Sequence, residues 1–433
     1  MTQQKPLQPA PSGFATLVPN HTVTPSAMRA IPIFPAASAA SRRLEFRQSP
    51  PLSLYVHIPW CLQKCPYCDF NSHQAEATIP ERQYVAALIA DLQTALPLIW
   101  GRPVRTVFFG GGTPSLLSPA AVDELIAAFR ALAMLAPEAE ITLEANPGAI
   151  EAGKFAAFRA AGVNRLSLGI QSFNDHHLKA LGRIHDSGEA RRAAQLAGEH
   201  FAHFNIDLMY GLPDQTLAEA QDDVTTALAF APPHLSCYQL TLEPNTRFAA
   251  FPPALPEADL CADMQEAIEA RLAADGYGNY EISAFARPGN QCRHNLNYWQ
   301  FGDYLGIGAG AHSKLTLHDR VLRQMRWKHP KAYLDQALAG NPLQEEQHVE
   351  AADLPGEFLM NALRLADGFA PSLFEQRTGR PLATIFAQLK SAAAEGLLDI
   401  GPERIVPTLR GRRFLNVLLE RFLVAGDDAG KTV

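Results

Sequence analysis

LSLYVHIPWCLQKCPYCDF, residues 52–70, joins an apolar run of strand length to three cysteines within eight positions, Cys61, Cys65 and Cys68. The chain holds six cysteines in 433 residues, so half of them crowd into this one loop. They follow the strand directly, in a loop rather than on a helix. That placement, repeated by other polar and glycine-rich signals along the chain, decides the fold.

Reading outward, VRTVFF (104–109), ITLEA (141–145), RLSLGI (165–170), FNIDLMY (204–210) and LSCYQLTL (235–242) are further runs of strand length. Helical patterns separate them. Tyr84, Leu88, Leu92 and Leu96 recur at i, i+4. Ser118-Pro119 is an N-cap and first-turn pair ahead of Val122, Leu125, Ile126 and Phe129. Further helices are expected near 151–161, 187–199 and 216–230. Six strands with intervening helices imply βαβ units and a mostly parallel sheet. The cysteines and the glycine run after residue 109 both fall at C-terminal strand ends, where barrel enzymes keep their chemistry, so the expected α/β fold is a partial (β/α)6 barrel.

Composition sets the bounds. Charged residues are 19% and hydrophobic ones 47%, ordinary for a globular chain, and the net charge of −7 supplies no basic field for nucleic acid. No apolar run reaches about 18 residues, so no membrane span is expected, which leaves peripheral membrane contact open. Clustered thiols in a long α/β chain point to a reducing cytoplasm. Residues 1–46 carry seven prolines with a single acid, Glu45, and read as a disordered tail; the prolines argue against an amphipathic targeting helix. The core is expected over 47–285, and 286–433 is expected to hold a further motif segment and a smaller helical domain.

Three clustered thiolates have competing readings. Structural zinc wants four ligands, usually as two separated pairs; His57 and His73 are near but give no paired spacing. A disulfide with one free thiol does not suit a reducing compartment. A [4Fe–4S] cluster takes four thiolates when fully ligated, so three leave one iron open to an external ligand. The cluster is the preferred reading, and zinc stands as the alternative.

Cys-x3-Cys-x2-Cys after a first strand resembles the signature of the radical S-adenosylmethionine (SAM) superfamily. YVHIPWC, FFGGGTPS, LEANPG, GIQSF, LGRIH and NIDLMYGLP resemble the branch that holds oxygen-independent coproporphyrinogen III dehydrogenases and haem chaperones. The resemblance implies a [4Fe–4S] cluster on Cys61, Cys65 and Cys68, with SAM on its open iron. It implies that the loop of Gly111, Gly112 and Thr113 holds the methionine end of SAM. Tyr55, Tyr67, Glu144, Gln171, Arg183 and Asp207 become SAM contacts. The residues speak for some of this unaided: glycines permit close backbone approach, and an unpaired Asp207 inside an apolar strand would be expensive.

Two features separate the branches. In the family pattern the dehydrogenases carry another cysteine two residues after the third thiolate; here that residue is Phe70. His294-Asn295-Leu296-Asn297-Tyr298-Trp299 resembles the chaperones' haem-binding motif, with His294 as axial ligand and aromatic rings against the macrocycle. Cys292 is the alternative ligand. Haem binding is then expected to weaken below an ordinary imidazole pKa of about 6.5. Cys237 and Cys261 read as buried structural residues. From about 316 onward a helix–hairpin–helix order resembles the family's winged-helix-like C-terminal domain, and Arg410, Arg412 and Arg413 are its one basic cluster. The expected function is haem delivery to an acceptor protein by a monomer or dimer, with coproporphyrinogen III dehydrogenation as the alternative.

Overall fold

The structure, a computed structural model, describes residues 44–75, 78–148 and 152–422. The sheet begins with six parallel strands: β1 (Leu52–Ile58), β2 (Pro103–Gly111), β3 (Met134–Ala145), β4 (Arg165–Gln171), β5 (His203–Tyr210) and β6 (His234–Gln239). They pair in sequence order, β1 with β2 through to β5 with β6. The sheet ends at Gly278–Asn279 on one side and at Leu343–His348 on the other, so the barrel is open.

Local chemistry sets the helices between the strands. Ser118 caps α1 of this set (Pro119–Leu132), its side chain accepting from the Ala121 amide. Asp186 with Glu189, and Thr216 with Glu219, form reciprocal capping boxes for α2 (Ser187–His200) and α3 (Leu217–Leu228). These helices bury Val122, Leu125, Phe129, Ala193, Ala197 and Val224 against the outer face of the sheet. The helix expected over 151–161 is shorter, Phe155–Ala160, and residues 149–151 lie outside those described.

Two expectations need correction. Residues 303–348 do not belong to the smaller helical unit. They form four strands, Asp303–Ile307, His312–Thr316, Val321–Arg326 and Leu343–His348, that extend the main sheet beyond β1, the first of them parallel to it. Charged residues disguise these strands in sequence. Lys314 and Arg326 are each 1% exposed, and they are held by Asp303 at 3.0 Å and Asp91 at 3.2 Å. A buried charge persists only with such a partner. The tail also ends before residue 46. Phe46 is buried and its amide donates to the His318 carbonyl at 2.9 Å; the rest of the expected tail, residues 1–43, lies outside the described residues.

A second hydrophobic core gathers Phe46, Phe301 and Val321 with residues of the C-terminal helices. Phe358 is its centre, edge-on to Phe301, Phe369 and Phe374 at 5.0–6.0 Å. The helix expected over 357–365 is Leu354–Ala362, and the expected hairpin and helix are Leu398–Ile400 with Ile405–Pro407, then Leu409–Arg413. The three arginines are spent within the chain: Arg410 on the Glu395 carbonyl, Arg412 on Asn279 and Arg413 on Glu266. Among the described residues no helix is long and apolar enough to cross a membrane.

Candidate cofactor site

The C-terminal ends of β1 to β6 surround one cavity of about 550 Å³ lined by Cys61, Cys65, Cys68, Gly112, Glu144 and Arg183, among others. The cysteine loop is fixed from both sides. Trp60–Cys61 pairs with His73–Gln74, and the Lys64 ammonium donates to the carbonyls of Phe70 and Ser72. Asn71 ties the loop to the sheet extension, donating to the carbonyls of Ala309 and Lys328.

The three thiols are unpaired, Cys61 buried and the others half-buried. Burial pushes the Cys61 and Cys68 thiols up, against the pull of hydrogen bonds from Thr113 to Cys61 and from the Phe70 backbone and Ser72 to Cys68. Among the described residues no three His, Cys, Asp or Glu side chains gather tightly enough for a single metal ion. A cluster asks for something else: each thiolate binds a different iron, so the sulfurs stand further apart than around one ion. Three cysteines line the one cavity, with the Arg183 guanidinium 3.5 Å from Cys65 Sγ, a three-thiol set that suits a cluster with one open iron better than the four ligands of closed structural zinc.

Beside the thiols, the glycine loop leaves β2 and packs on the Trp60–Cys61 backbone. Gly111 has φ of +112°, and a Cβ there would meet the His57 ring at 2.6 Å. Its amide donates to Glu144 Oε2 at 3.2 Å. Glu144 is not a solvated carboxylate. Burial, and the nearby Asp207 charge, push it up to about 8, opposed by the Gly111 amide. Asp207 is also raised by burial, although Ser167 and Asn205 donate to its two oxygens at 3.1 and 2.7 Å. Two adjacent carboxyls that resist ionisation suit a cationic or donor-bearing ligand.

Arg183 donates to Asn146 Oδ1 and to the Gly169 carbonyl, both at 2.7 Å, and its buried Nε has no partner among the described residues. Gln171 lies on the cavity wall with φ of +73°, a left-handed conformation that a side chain adopts at a cost. Tyr67 packs with Leu181, Leu212, Leu240 and Phe248 into an apolar wall. Tyr55 departs from expectation. It is not among the cavity-lining residues; its hydroxyl bonds to His57 Nδ1 at 3.0 Å and its ring stacks on Phe108. Its place is behind the glycine loop. Sequence reasoning missed Asn146, which also donates to Thr113 and so joins the glycine loop to Arg183. The LEANPG motif contains it, but a lone amide carries no spacing signal.

His294 stands apart from the cavity, on α4 of the labelled helices (Arg293–Trp299). Its Nδ1 bonds to Thr106 Oγ1 at 3.0 Å, its ring lies 4.8 Å from that of Phe108, and burial pulls its pKa down to about 4. The imidazole is therefore already neutral at pH 6.5, which corrects the expected pH dependence. Tyr298 is 41% exposed beside Trp299 and Tyr304, and the Arg364 guanidinium lies 5.4 Å from the Trp299 ring centre. Cys292 is a poor ligand: its buried thiol is pushed up to about 12 by burial and by Glu140, whose carboxylate it faces at 3.5 Å. Cys237 and Cys261 are buried, as expected.

An open parallel barrel with three thiols after its first strand and a glycine loop after its second defines the radical SAM class. The family model described as Radical SAM superfamily matches residues 55–227, and that of the HemN C-terminal domain matches residues 349–414. The heme chaperone HemW of Escherichia coli (strain K12) is 51% identical, the match covering 86% of this chain and 98% of the relative. That of Mycobacterium tuberculosis (strain ATCC 25618 / H37Rv) is 37% identical over 86% of this chain and 95% of its own. Among solved structures, coproporphyrinogen III oxidase (HemN) from Escherichia coli, a radical SAM enzyme, superposes with a TM-score of 0.74 at 29% identity, covering 86% of this chain and 90% of that one. The chain belongs to the HemW family of heme chaperones within the radical SAM superfamily.

Proposed function

We infer that this protein is a haem chaperone: it binds haem and passes it to an acceptor protein, working in the cytoplasm. The observation that carries the reading is the 51% identity to a heme chaperone over 86% of this chain and 98% of that one, against 29% to the oxidase of the same fold. In this reading Cys61, Cys65 and Cys68 hold a [4Fe–4S] cluster, and Gly111, Gly112, Thr113, Glu144, Gln171, Arg183 and Asp207 receive SAM. When bound, that pair supplies one-electron reductive chemistry. The protein's own residues supply the rest. Arg183 places positive charge beside Cys65, Glu144 holds a proton until a cation arrives, and Tyr67 with its apolar neighbours keeps water from one flank.

His294 offers haem a neutral imidazole oriented by Thr106, with Tyr298 and Trp299 for the macrocycle. The alternative, decarboxylation of coproporphyrinogen III, is disfavoured at Phe70. This residue is 60% exposed at the cavity wall, where the oxidase pattern puts a further cysteine. The deciding experiment gives reconstituted protein haem in one arm, and coproporphyrinogen III with SAM and reductant in the other. The reading expects a Soret band at about one haem per chain and no protoporphyrinogen; SAM-dependent decarboxylation would replace it with the enzyme.

A further inference from the structure

The interior of the barrel is polar where a packed barrel would be filled by branched apolar side chains. The cavity does not stop at the residues assigned to SAM. It continues toward the N-terminal ends of β4 to β6, where Arg165, Asn205 and His234 line it with Thr142 of β3, which is in register with Arg165, and ends against Cys292 and Asn295. Most of these groups satisfy one another. His234 bonds to Asn205 Oδ1 at 2.7 Å and to the Tyr280 hydroxyl at 2.8 Å, while Asn205 donates to Ser167 and Asp207.

Three groups on this floor are not spent. Thr142 is 1% exposed and its Oγ1 has no hydrogen-bond partner among the described residues. Leaving a buried hydroxyl unpaired is unfavourable unless a ligand completes it. Asn295 accepts through Oδ1 from the Cys292 thiol, and its amide nitrogen has no acceptor among the described residues. Arg165 is 3% exposed. It gives two N–H groups to the Asn290 carbonyl at 3.3 Å and faces Glu140 at 3.6 Å, leaving part of its five-donor fork over. Glu140 is already engaged: Oε2 forms the ion pair with Arg165 at 3.6 Å, while Oε1 takes the His294 amide at 3.0 Å and the Cys292 thiol at 3.5 Å. The floor thus presents donors beside one carboxylate that Arg165, Cys292 and the His294 amide already occupy, and the carboxyls of Glu144 and Asp207 lie two residues further along β3 and β5, nearer the cysteine end.

We propose that this floor is a carboxylate subsite, taking the carboxylate arm of a molecule seated in the barrel beyond the residues assigned to SAM. An acceptor-only group with two oxygens matches an unpaired hydroxyl, a free amide N–H and a guanidinium edge, and a charge-assisted set of this kind is strong and directional. The arm comes either from a propionate of haem, in which case the inference rests on the haem reading, or from a separate small dicarboxylate.

Cluster-loaded protein saturated with SAM is titrated with haem, haem dimethyl ester and glutarate, as wild type, Thr142→Val and Asn295→Ala. Valine keeps the shape of threonine and removes only a hydroxyl that has no partner, so Thr142→Val should melt no lower than wild type and retain its iron. Its carboxylate ligand should bind about ten- to a hundred-fold more weakly, the worth of one hydrogen bond to a charged group. Weakened haem binding, with the ester equally weak in wild type, assigns the arm to haem. Thr142-dependent glutarate binding with indifferent haem assigns it to a small acid, and absence of haem binding beside it would refute the haem reading while keeping the subsite. Unchanged affinities in both folded variants, or no carboxylate bound by either route, overturns the proposal.

Discussion

Replacing Gly112 by alanine tests the glycine loop where its geometry is tightest. A Cβ built on Gly112 would lie 2.5 Å from the Trp60 carbonyl oxygen, 2.8 Å from its carbon and 3.0 Å from the Ile58 carbonyl oxygen. All three are backbone atoms, so no side chain can swing away. Real Cβ contacts essentially never fall under 3.0 Å, and the loop must therefore retreat from β1 by at least half an ångström. The Gly112 amide would also strain its 2.7 Å bond to the Ile58 carbonyl. Overpacking of this kind costs about 1–3 kcal/mol, within the roughly 5–15 kcal/mol that holds a domain folded, so the variant should fold and melt lower. A loop displaced that far no longer meets its ligand, and SAM affinity should fall at least about ten-fold, equivalent to about 1.4 kcal/mol. Melting temperature, iron content and SAM calorimetry on one preparation separate the effects. Gly101→Ala is the control: φ is +73° with nothing within 4 Å, so it strains the backbone without touching the site. Wild-type SAM affinity in iron-loaded Gly112→Ala would refute the assignment of this loop to SAM. Loss of iron as well would mean that the Trp60–Cys61 backbone had yielded instead.

Three further outcomes follow from the site. Anaerobic Cys65→Ala should lose most of roughly four irons per chain while keeping its melting temperature within a few degrees; full iron retention would move the cluster elsewhere. Because Glu144 is held near 8, the free protein keeps this proton at pH 7. A cation beside it favours the carboxylate, so SAM binding should release up to about one proton and tighten as pH rises toward 8. Calorimetry in buffers of different ionisation enthalpy counts that proton, Glu144→Gln should abolish it, and a wild-type count of zero would sink the assignment. His294 is neutral down to about 4, so haem affinity should stay level from pH 8 to about 5 and fall only as protonation sets in near 4. A titration midpoint near 6.5 would separate His294 from the haem iron, and His294→Ala with an unchanged Soret band would do the same.

How much of this was legible in sequence depends on what each residue answers to. β1 to β6 read clearly because their apolar runs face helices on one side, and the caps at Ser118, Asp186 and Thr216 each carry their own local chemistry. The strands from Asp303 to His348 did not. Their inner positions include Lys314 and Arg326, whose partners Asp303 and Asp91 sit 11 and 235 residues away. A periodicity argument sees only a charge interrupting the pattern, while the fold sees a paired ion. Phe46 failed for a similar reason: one aromatic residue after a proline-rich stretch has no period, and only the second core explains its burial.

The site shows the same division between local and distant information. Spacing along the chain exposed the three thiols and the glycine loop, because each works as a contiguous segment. It could not place Tyr55 behind the loop instead of in the cavity, since alternation on β1 says which face a side chain takes and not what stands in front of it. The helix Arg293–Trp299 carries this furthest. Its first turn turns Cys292 and Asn295 into the floor of the barrel, while Tyr298 near its end is exposed. His294 lies between, against Phe108, and Phe108 itself lines the cavity. One short segment therefore serves two surfaces, so a haem-binding loss in any variant of this helix is interpretable only beside its SAM affinity. Asn295→Ala and His294→Ala, measured with haem, haem dimethyl ester and glutarate, should part: the first weakens only the ligand that brings a carboxylate, the second weakens haem and its ester alike.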